Sequence, residues 1–264
     1  MSLSEDPVLR HDDGRGLVTL TLNRASSFNS LSEAVLTALQ QHLDALAHDE
    51  SARVLVLAAH GKAFCAGHDL KEMRASPSKA YYERLFAQCG RMMLSLQKLP
   101  LPVIARVQGI ATAAGCQLVA MCDLAVASQE ARFAVSGVNL GLFCSTPSVA
   151  LSRNVSRKAA FEMLVTGGFI SADDALQKGL VNKVVAPDQL DAAVAELANS
   201  ILAKPRVALA MGKALFYRQL EVGIAAAYTD AAQTMACNMM DESALDGVQA
   251  FIDKRPPPWA QSQT

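Results

Sequence analysis

Two segments of this sequence place small residues and polar residues directly after apolar runs. The first, at 62–73, reads KAFCAGHDLKEM and follows the apolar run at 53–59. The second, at 107–123, passes through Thr-Ala-Ala-Gly into a helical pattern. Small side chains let a ligand approach the backbone, so that two N–H groups can point at one oxygen, and a helix N-terminus favours negative charge. The same residues also suit tight turn packing alone, and the spacing leaves both interpretations open.

Other arrangements that carry chemistry are missing from the sequence. There is no Gly-x-Gly-x-x-Gly after a strand pattern, no phosphate-binding P-loop and no Gly-x-Ser-x-Gly elbow. Cys65, His68 and Asp69 come from one short loop without a second cluster, so we expect no metal site. His11, His42 and His48 are expected to be solvated.

The amino-acid composition excludes several classes of protein. The chain has 264 residues, 51% of them hydrophobic, and a net charge of −1. Such a chain can bury a large core, which excludes general disorder, and the charge balance disfavours a nucleic-acid partner. Six cysteines without a Cys-x-x-Cys pair are expected to be reduced thiols. Neither a signal peptide nor a membrane span is recognisable, so we expect a soluble, cytoplasmic protein without a membrane partner.

The elements that would position the two segments follow from periodicity. Alternating or continuous apolar runs predict strands at 18–22, 53–59, 103–107 and 124–127. Three- and four-residue steps predict helices at 31–46, 85–96, 113–121, 188–203, 205–220 and 223–240, and Ser171 to Asp174 is typical of a capping box. Strands and helices alternate first, and beyond Pro147 the pattern is almost wholly helical. The sequence therefore predicts an α/β core with a helical C-terminal region.

Several motifs together resemble the enoyl-CoA hydratase/isomerase (crotonase) superfamily over nearly the whole chain. They lie at 22–24 with Asn29, 62–73, 107–123, 164–167 with 170–172, 179–184 and 250–255. The resemblance implies a crotonase-like spiral of ββα units. It places an acyl-CoA-binding core at 1–200 and a helical trimerisation region at 201–264. It also implies a homo-oligomer, either a trimer or a dimer of trimers, and an acyl-CoA substrate whose CoA makes a separate cofactor unnecessary.

Site residues carried over by this resemblance fall in the same two segments. The amides of His68 and Ala114 would form an oxyanion hole for the thioester oxygen, with alanine at 114 in place of the usual glycine. Ala66, His68, Asp69 and Leu70 would line the CoA and thioester channel. Lys62 would lie near the nucleotide, and Lys254 belongs to a C-terminal segment that can approach CoA.

The acid and base of the family pattern are both absent. Typical hydratases have a glutamate in a Gly-Cys-Glu-Leu stretch and another in a Pro-Glu step; here these positions are Gln117 and Gly137. Glutamine can bind water but cannot take its proton, and glycine has no side chain. Loss of one such group typically costs about 10²- to 10⁴-fold in rate. We therefore expect very poor hydration, partly restored by Gln117→Glu and further by adding Gly137→Glu if the pocket has room.

Three functions stay open for this sequence. The first is a nominal enoyl-CoA hydratase of fatty-acid metabolism that stabilises an enolate. The second is a lyase similar to methylmalonyl-CoA decarboxylase, a branch that the Gly-His-Asp motif at 67–69 resembles. That branch has a tyrosine where this chain has Cys144 and a glutamate where it has Gln117. A non-catalytic acyl-CoA-binding protein is the third. The Phe-Cys-Ser-Thr-Pro run at 143–147 resembles a subgroup, the enoyl-CoA hydratase domain-containing protein 3 type, and Cys144 is either a thiol facing the acyl group or an inert buried residue.

Overall fold

Short strands and long helices alternate along the first two thirds of the chain. The computed structural model describes residues 6–259. The strands within this range are Val8–Asp12 (β1), Leu17–Leu22 (β2), Val54–Ala59 (β3), Ala63–Cys65 (β4), Val103–Val107 (β5), Ile110–Thr112 (β6), Leu124–Ser128 (β7), Arg132–Ala134 (β8), Ile170–Ser171 (β9) and Lys183–Val185 (β10).

The helices of the same range become continuous toward the C-terminus. They are Glu33–Ala47 (α1), Leu70–Ala75 (α2), Lys79–Lys98 (α3), Ala114–Met121 (α4), Ser145–Asn154 (α5), Arg157–Thr166 (α6), Ala172–Gln177 (α7), Leu190–Leu202 (α8), Arg206–Gln219 (α9), Ile224–Met239 (α10) and Glu242–Ile252 (α11). The Ser171 hydroxyl accepts a hydrogen bond from the Asp174 amide, and the Asp174 carboxylate accepts one from the Ser171 amide. The predicted capping box is therefore confirmed.

Two sheets are built from pairs of successive strands. The larger sheet has the order β1-β2-β3-β5-β7-β10 and the smaller β4-β6-β8-β9. Neighbouring strands from β2 to β10 in the larger sheet are parallel, as are β4, β6 and β8. The pairs β3-β4, β5-β6 and β7-β8 thus each give one strand to each sheet, and a helix follows each pair. This repetition is the predicted spiral of ββα units.

Apolar side chains fill both faces of the larger sheet. All six residues of β3 are buried, as the continuous run predicted. One core joins this sheet to α1, α3 and α4, and a second lies on the opposite face under α8, with Leu190, Val194 and Ala198. Because parallel strands end at one edge, the loops after β3 and β5 are brought together there. These two loops carry the two small-residue segments.

The first C-terminal helix, α9, is anchored to the core by a buried charge. The Lys213 ammonium donates to the Asp123 carboxylate at 2.6 Å and to the carbonyl of Leu96 at 2.9 Å. Tyr217 donates to the other Asp123 oxygen at 2.7 Å. Burial lowers the pKa of Lys213, which the charge of Asp123 opposes.

The short strands are where the sequence prediction was incomplete. The segment at 60–69 was expected to be a loop, but it contains β4. The strands β4, β6 and β8 have three residues each, too few for a periodic pattern to show.

Within residues 6–259 no helix is long and apolar enough to cross a membrane. The predicted division at residue 200 falls in the last turn of α8 and stays a prediction.

Candidate active site

A largely apolar cavity of about 320 Å³ opens at the edge of the sheets where the two small-residue segments meet. Its wall comes from the loop before α2, from α3, from the turn into α4 and from the segment at 136–147. The lining residues are Ala66, His68, Leu70, Met73, Phe86, Ala113, Ala114, Ser136, Gly137, Leu140, Leu142, Phe143, Cys144, Ser145, Thr146 and Pro147. Six of the predicted site residues are among them: Ala66, His68, Leu70, Ala114, Gly137 and Cys144.

The backbone around His68 is fixed by a strand-like bridge to Leu31. The Leu31 amide donates to the Gly67 carbonyl at 2.8 Å, and the Asp69 amide donates to the Leu31 carbonyl at 3.3 Å. Successive peptide groups of an extended chain point in opposite directions. The residues on either side of His68 therefore bond to Leu31, while the amide of His68 itself faces the other way.

The Ala114 amide stands at the start of α4. Ala114 is the first residue of this helix, where an N–H has no acceptor inside the helix. The preceding residue, Ala113, has φ 51° and ψ −120°, and its own amide donates to the Ala134 carbonyl at 2.9 Å. This backbone conformation is rare for a residue with a Cβ and sets the orientation of the peptide that carries the Ala114 amide.

Strain at Ala113 leads to a stability prediction. Such a conformation costs about 1–3 kcal/mol, whereas the added chain entropy of glycine costs about 0.5–1 kcal/mol. Ala113→Gly is therefore expected to raise the free energy of unfolding by up to about 2.5 kcal/mol in urea titrations. The control is Ala87→Gly, exposed in α3, where the helix should lose about 1 kcal/mol. Equal losses in both variants would contradict strain at Ala113.

Gly67 lets the loop of His68 pass close to the turn into α4. Its φ is 89°, and a Cβ built on it would lie 2.9 Å from the Ala113 Cβ and 3.2 Å from the Ala114 nitrogen. The chain therefore passes against the turn into α4 with room for a hydrogen atom only. His68, the residue after Gly67, carries one amide that faces away from Leu31. Ala114, in the turn that Gly67 approaches, carries the second amide.

The imidazole of His68 belongs to the cavity wall. Its ring lies 5.4 Å from the Phe86 ring, edge to face. Both ring nitrogens are buried and have no hydrogen-bond partner among residues 6–259. Burial lowers the pKa of His68 below 6.5, which the Leu31 backbone only partly offsets. The cavity thus holds a neutral imidazole near pH 7.

This lowered pKa predicts how stability depends on pH. The unfolded chain binds the His68 proton at a higher pH than the folded chain does, so stability is lost as pH falls from about 6.5 toward the folded pKa. The slope approaches about 1.4 kcal/mol per pH unit. Urea unfolding of the native protein and of His68→Gln at about pH 7.5 and about pH 5.5 measures it. We expect a smaller decrease for His68→Gln, and equal decreases would contradict the assignment.

Asp69 does not share that pH window. Although burial opposes the shift, the hydrogen bonds that its carboxylate accepts, first from the Glu72 amide, lower its pKa below 3.8. It caps α2 and also lies 3.6 Å from Arg24. Its side chain therefore holds the loop in place and lies outside the cavity lining.

Gly137 is enclosed by its own loop. Its amide donates to the Cys144 sulfur at 3.2 Å. A Cβ at this position would overlap the Leu142 carbonyl oxygen and lie 2.7 Å from the Cys144 sulfur. The room that a side chain would need is already filled. The φ of Gly137 is not positive, so the obstacle to a side chain there is space and not backbone strain.

Cys144 is a protonated thiol in this setting. Burial raises its pKa, and the hydrogen bond from the Gly137 amide only partly offsets that effect. A thiol of this kind is a weak nucleophile, since the thiolate is the reactive form. Its position indicates a role in shaping the cavity beside Gly137.

Three other predicted residues lie outside the cavity lining. Gln117 is buried in α4, one turn beyond Ala114, and its Oε1 has no hydrogen-bond partner among the described residues. Lys62 is exposed at the entrance to β4, and Lys254 follows α11 with φ 55°. Their predicted contacts with the nucleotide remain predictions.

Sequence reasoning missed part of the wall. Met73 in α2 and Phe86 in α3 line the cavity, although neither was among the predicted site residues. The hydroxyls of Thr112 and Ser136 lie 2.9 Å apart at the same edge. Within residues 6–259 no group of three or more His, Cys, Asp or Glu side chains is placed to hold a metal ion.

Comparison with known proteins identifies the class to which this site belongs. The family model described as "Enoyl-CoA hydratase/isomerase" matches residues 12–262. The chain therefore belongs to the enoyl-CoA hydratase/isomerase family. The expected crotonase-like fold is confirmed as well, because solved structures of enoyl-CoA hydratases superpose closely on the chain.

Individual members of this family are similar to the chain over most of its length. Enoyl-CoA hydratase domain-containing protein 3, mitochondrial, of Rattus norvegicus is 44% identical over 93% of this chain and 82% of its own length. The crystal structure of the human protein of that type has a TM-score of 0.93 and 42% identity, covering 96% of this chain and all of its own. An enoyl-CoA hydratase structure from Mycobacterium smegmatis has a TM-score of 0.96 and 69% identity, covering 97% and 99%. The expected similarity to the domain-containing protein 3 type is confirmed.

Proposed function

We propose that this protein binds an acyl-CoA thioester and stabilises negative charge on its oxygen with the amides of His68 and Ala114. The observation that carries the proposal is the close passage of Gly67 against the turn into α4, with one free-facing amide on each side. Two donors at about 2.7–3.1 Å from the oxyanion would stabilise an enolate or a related intermediate.

Hydration is the family reaction that this cavity supports poorly. No Asp or Glu lines it within the described part of the chain. Water addition to a double bond needs one group to take a proton and another to deliver one. The neutral imidazole of His68 is one proton-handling group, and the protonated Cys144 thiol is a weak second. A nominal hydratase with enolate stabilisation and little hydratase turnover is therefore the function proposed first.

A non-catalytic acyl-CoA-binding protein is the second proposal, favoured by the filled space at Gly137. A decarboxylase-like lyase stays the third: when an acyl-CoA carries a carboxylate on Cα, breaking the bond from Cα to that carboxylate releases CO₂, leaves the electron pair in the thioester enolate and needs no strong base. Turnover of crotonyl-CoA and of methylmalonyl-CoA, beside a binding titration with acetyl-CoA, separates the three. Failure to bind any of them would reject the acyl-CoA proposal altogether.

The CoA part of the ligand is proposed to follow the predicted residues outside the cavity. Lys62 and Lys254 are exposed cations suited to phosphate groups, whereas Asp69 serves the loop that carries the oxyanion amide. No cofactor besides the CoA of the substrate is proposed. A cytoplasmic location stays a proposal, and the vertebrate relatives are named as mitochondrial proteins.

The C-terminal helices are proposed to mediate a homotrimer or a dimer of trimers. They expose large apolar side chains, among them Ile224 at 77% and Phe251 at 86% exposure. Several large apolar side chains exposed on neighbouring helices are typical of an interaction site. Light scattering at micromolar concentration is expected to give the mass of three or six chains, and Phe251→Glu should lower it. A stable monomer in the native protein would reject the proposal.

A further inference from the structure

A second cavity, of about 1100 Å³, lies at the edge of the larger sheet opposite the candidate active site. Arg15 and Arg53 come just before β2 and β3, whereas the loop with His68 follows the other end of β3. Six residues of strand separate the two edges by roughly 20 Å. The lining residues are Arg15, Arg53, Asn199, Leu202, Lys204, Pro205, Arg206, Val207, Asp241, Glu242, Ser243 and Trp259.

Within the described part of the chain, three of the four cations in this cavity lack a carboxylate partner. Arg15 lies 2.7 Å from Asp13. Within residues 6–259, Arg53, Lys204 and Arg206 form no ion pair. Two carboxylates also reach the cavity, but the side chain of Asp241 is engaged in capping α11, where it accepts from the Ser243 amide at 3.0 Å. Glu242, the second, is exposed to solvent. The interior of the cavity thus keeps an excess of positive charge.

The two arginines are held as a like-charged pair. Arg53 donates through one terminal nitrogen to the carbonyls of Leu202 at 3.3 Å and Lys204 at 2.5 Å, which fixes its guanidinium. The Nε atoms of Arg53 and Arg206 are buried, and neither has a hydrogen-bond partner among the described residues. Burial, and then the charge of Arg206, lower the pKa of Arg53. Buried guanidinium donors are normally hydrogen-bonded, whereas these two are unpaired within residues 6–259.

The start of α9 adds to this positive field. Arg206 is the first residue of this fourteen-residue helix, and Pro205 precedes it without a side-chain cap. The first-turn amides therefore lack acceptors inside the helix, and the helix dipole favours an anion there. This feature supports the arginine pair and would not by itself define a site.

We propose that the cavity binds a phosphate-bearing anion between Arg53 and Arg206, with Lys204 at its side. Guanidinium groups match phosphate oxygens in geometry and charge, and an anion between two of them relieves their repulsion. The ligand chemistry is a phosphate or diphosphate group, either free or carried by a nucleotide. This site is independent of the acyl-CoA proposal, because none of its residues lines the first cavity.

The chain carries its own reporter for this site. Trp259 lines the cavity and is the single tryptophan of the sequence. Intrinsic fluorescence of the full-length protein is titrated with sodium pyrophosphate, and with sodium chloride to the same ionic strength. We expect a saturable change with pyrophosphate and none with chloride. Absence of a saturable change with pyrophosphate would overturn the proposal.

Substitutions locate the binding within the cavity. Arg206→Gln and Lys204→Gln change residues whose side chains make no ion pair within residues 6–259, so folding should be retained, and Arg53→Gln tests the fixed guanidinium. Each of the two arginine variants is expected to raise the half-saturating pyrophosphate concentration at least tenfold. Arg157→Gln, exposed at the start of α6, is the matched control and should leave it unchanged. Equal affinity in Arg206→Gln and Arg157→Gln would overturn the site.

Calorimetry with pyrophosphate and with ADP distinguishes the sources of the phosphate. Tighter binding of ADP, lost in Arg206→Gln, supports a nucleotide, and equal binding supports a free diphosphate. An alternative occupant is an acidic side chain of a second copy of the chain. If Arg206→Gln lowers the mass in solution while the native protein binds neither anion, that alternative holds and the proposal is wrong.

Discussion

Gly137→Glu is expected to gain no hydratase activity, even when combined with Gln117→Glu. A side chain at 137 has to displace the Leu142 carbonyl and the Cys144 sulfur, which are backbone and buried core respectively. Overpacking of this kind costs about 1–3 kcal/mol and moves the loop that walls the cavity. A carboxylate added there would not reach the position from which it could act on water. The expected additional gain from the double substitution is thereby withdrawn.

The measurement is the loss of crotonyl-CoA absorbance under steady-state conditions. The native protein should turn over far below an ordinary rate of about 1–10³ s⁻¹, and Gln117→Glu should raise the rate only modestly because one proton-transfer group is still missing. A native rate within that range would show that His68 or Cys144 performs the proton chemistry. A large gain from Gly137→Glu would instead show that the loop at 136–144 rearranges.

A smaller substitution tests the steric argument without any catalysis. Gly137→Ala is expected to lower the free energy of unfolding by about 1–3 kcal/mol. Gly168 lies between α6 and β9 with an ordinary φ, and a Cβ there meets only the Thr166 hydroxyl at 3.6 Å. Gly168→Ala is therefore the matched control and should be nearly neutral in urea titrations.

The longer strands and helices could be predicted from the sequence, because their apolar patterns extend over many residues. The buried run of β3 and the apolar faces of α1 and α3 predicted their positions to within a few residues, apart from the N-terminal turns of α3. The short strands of the smaller sheet could not be predicted in this way. Their three residues are held by pairing between distant loops, which a local pattern does not contain.

The positions of the candidate site residues could be predicted from the sequence, but the contacts between them could not. Motifs located His68 and Ala114, since small residues after buried strands are visible in one dimension. That Ala113 rather than Ala114 takes the positive φ depends on the Ala134 carbonyl of another strand. The enclosure of Gly137 depends on how the loop at 136–144 folds back on itself. Neither fact has a signature in residue spacing.

Gly67→Ala is expected to abolish most of the charge stabilisation in the candidate active site. The substitution adds a Cβ 2.9 Å from the Ala113 Cβ at a residue with φ 89°. It must separate the loop of His68 from the turn of Ala114, so that both amides no longer face one oxygen. Removal of a single oxyanion donor costs about 10²- to 10³-fold in kcat, and the same loss is expected for any enolate reaction that the native protein supports.

A spectroscopic readout makes this expectation independent of turnover. Hydrogen bonds to a thioester carbonyl polarise it, so an acyl-CoA with a conjugated, coloured acyl group should absorb further to the red when it is bound to the native protein. Gly67→Ala should remove that shift. Gly14→Ala is the matched control, because Gly14 has φ 73° with no atom within 4 Å of an added Cβ and lies outside the cavity. Both variants carry the strain of a Cβ at positive φ, about 1 kcal/mol or more. If the colour shift survives in Gly67→Ala, or disappears equally in Gly14→Ala, the two amides do not act together on the thioester oxygen.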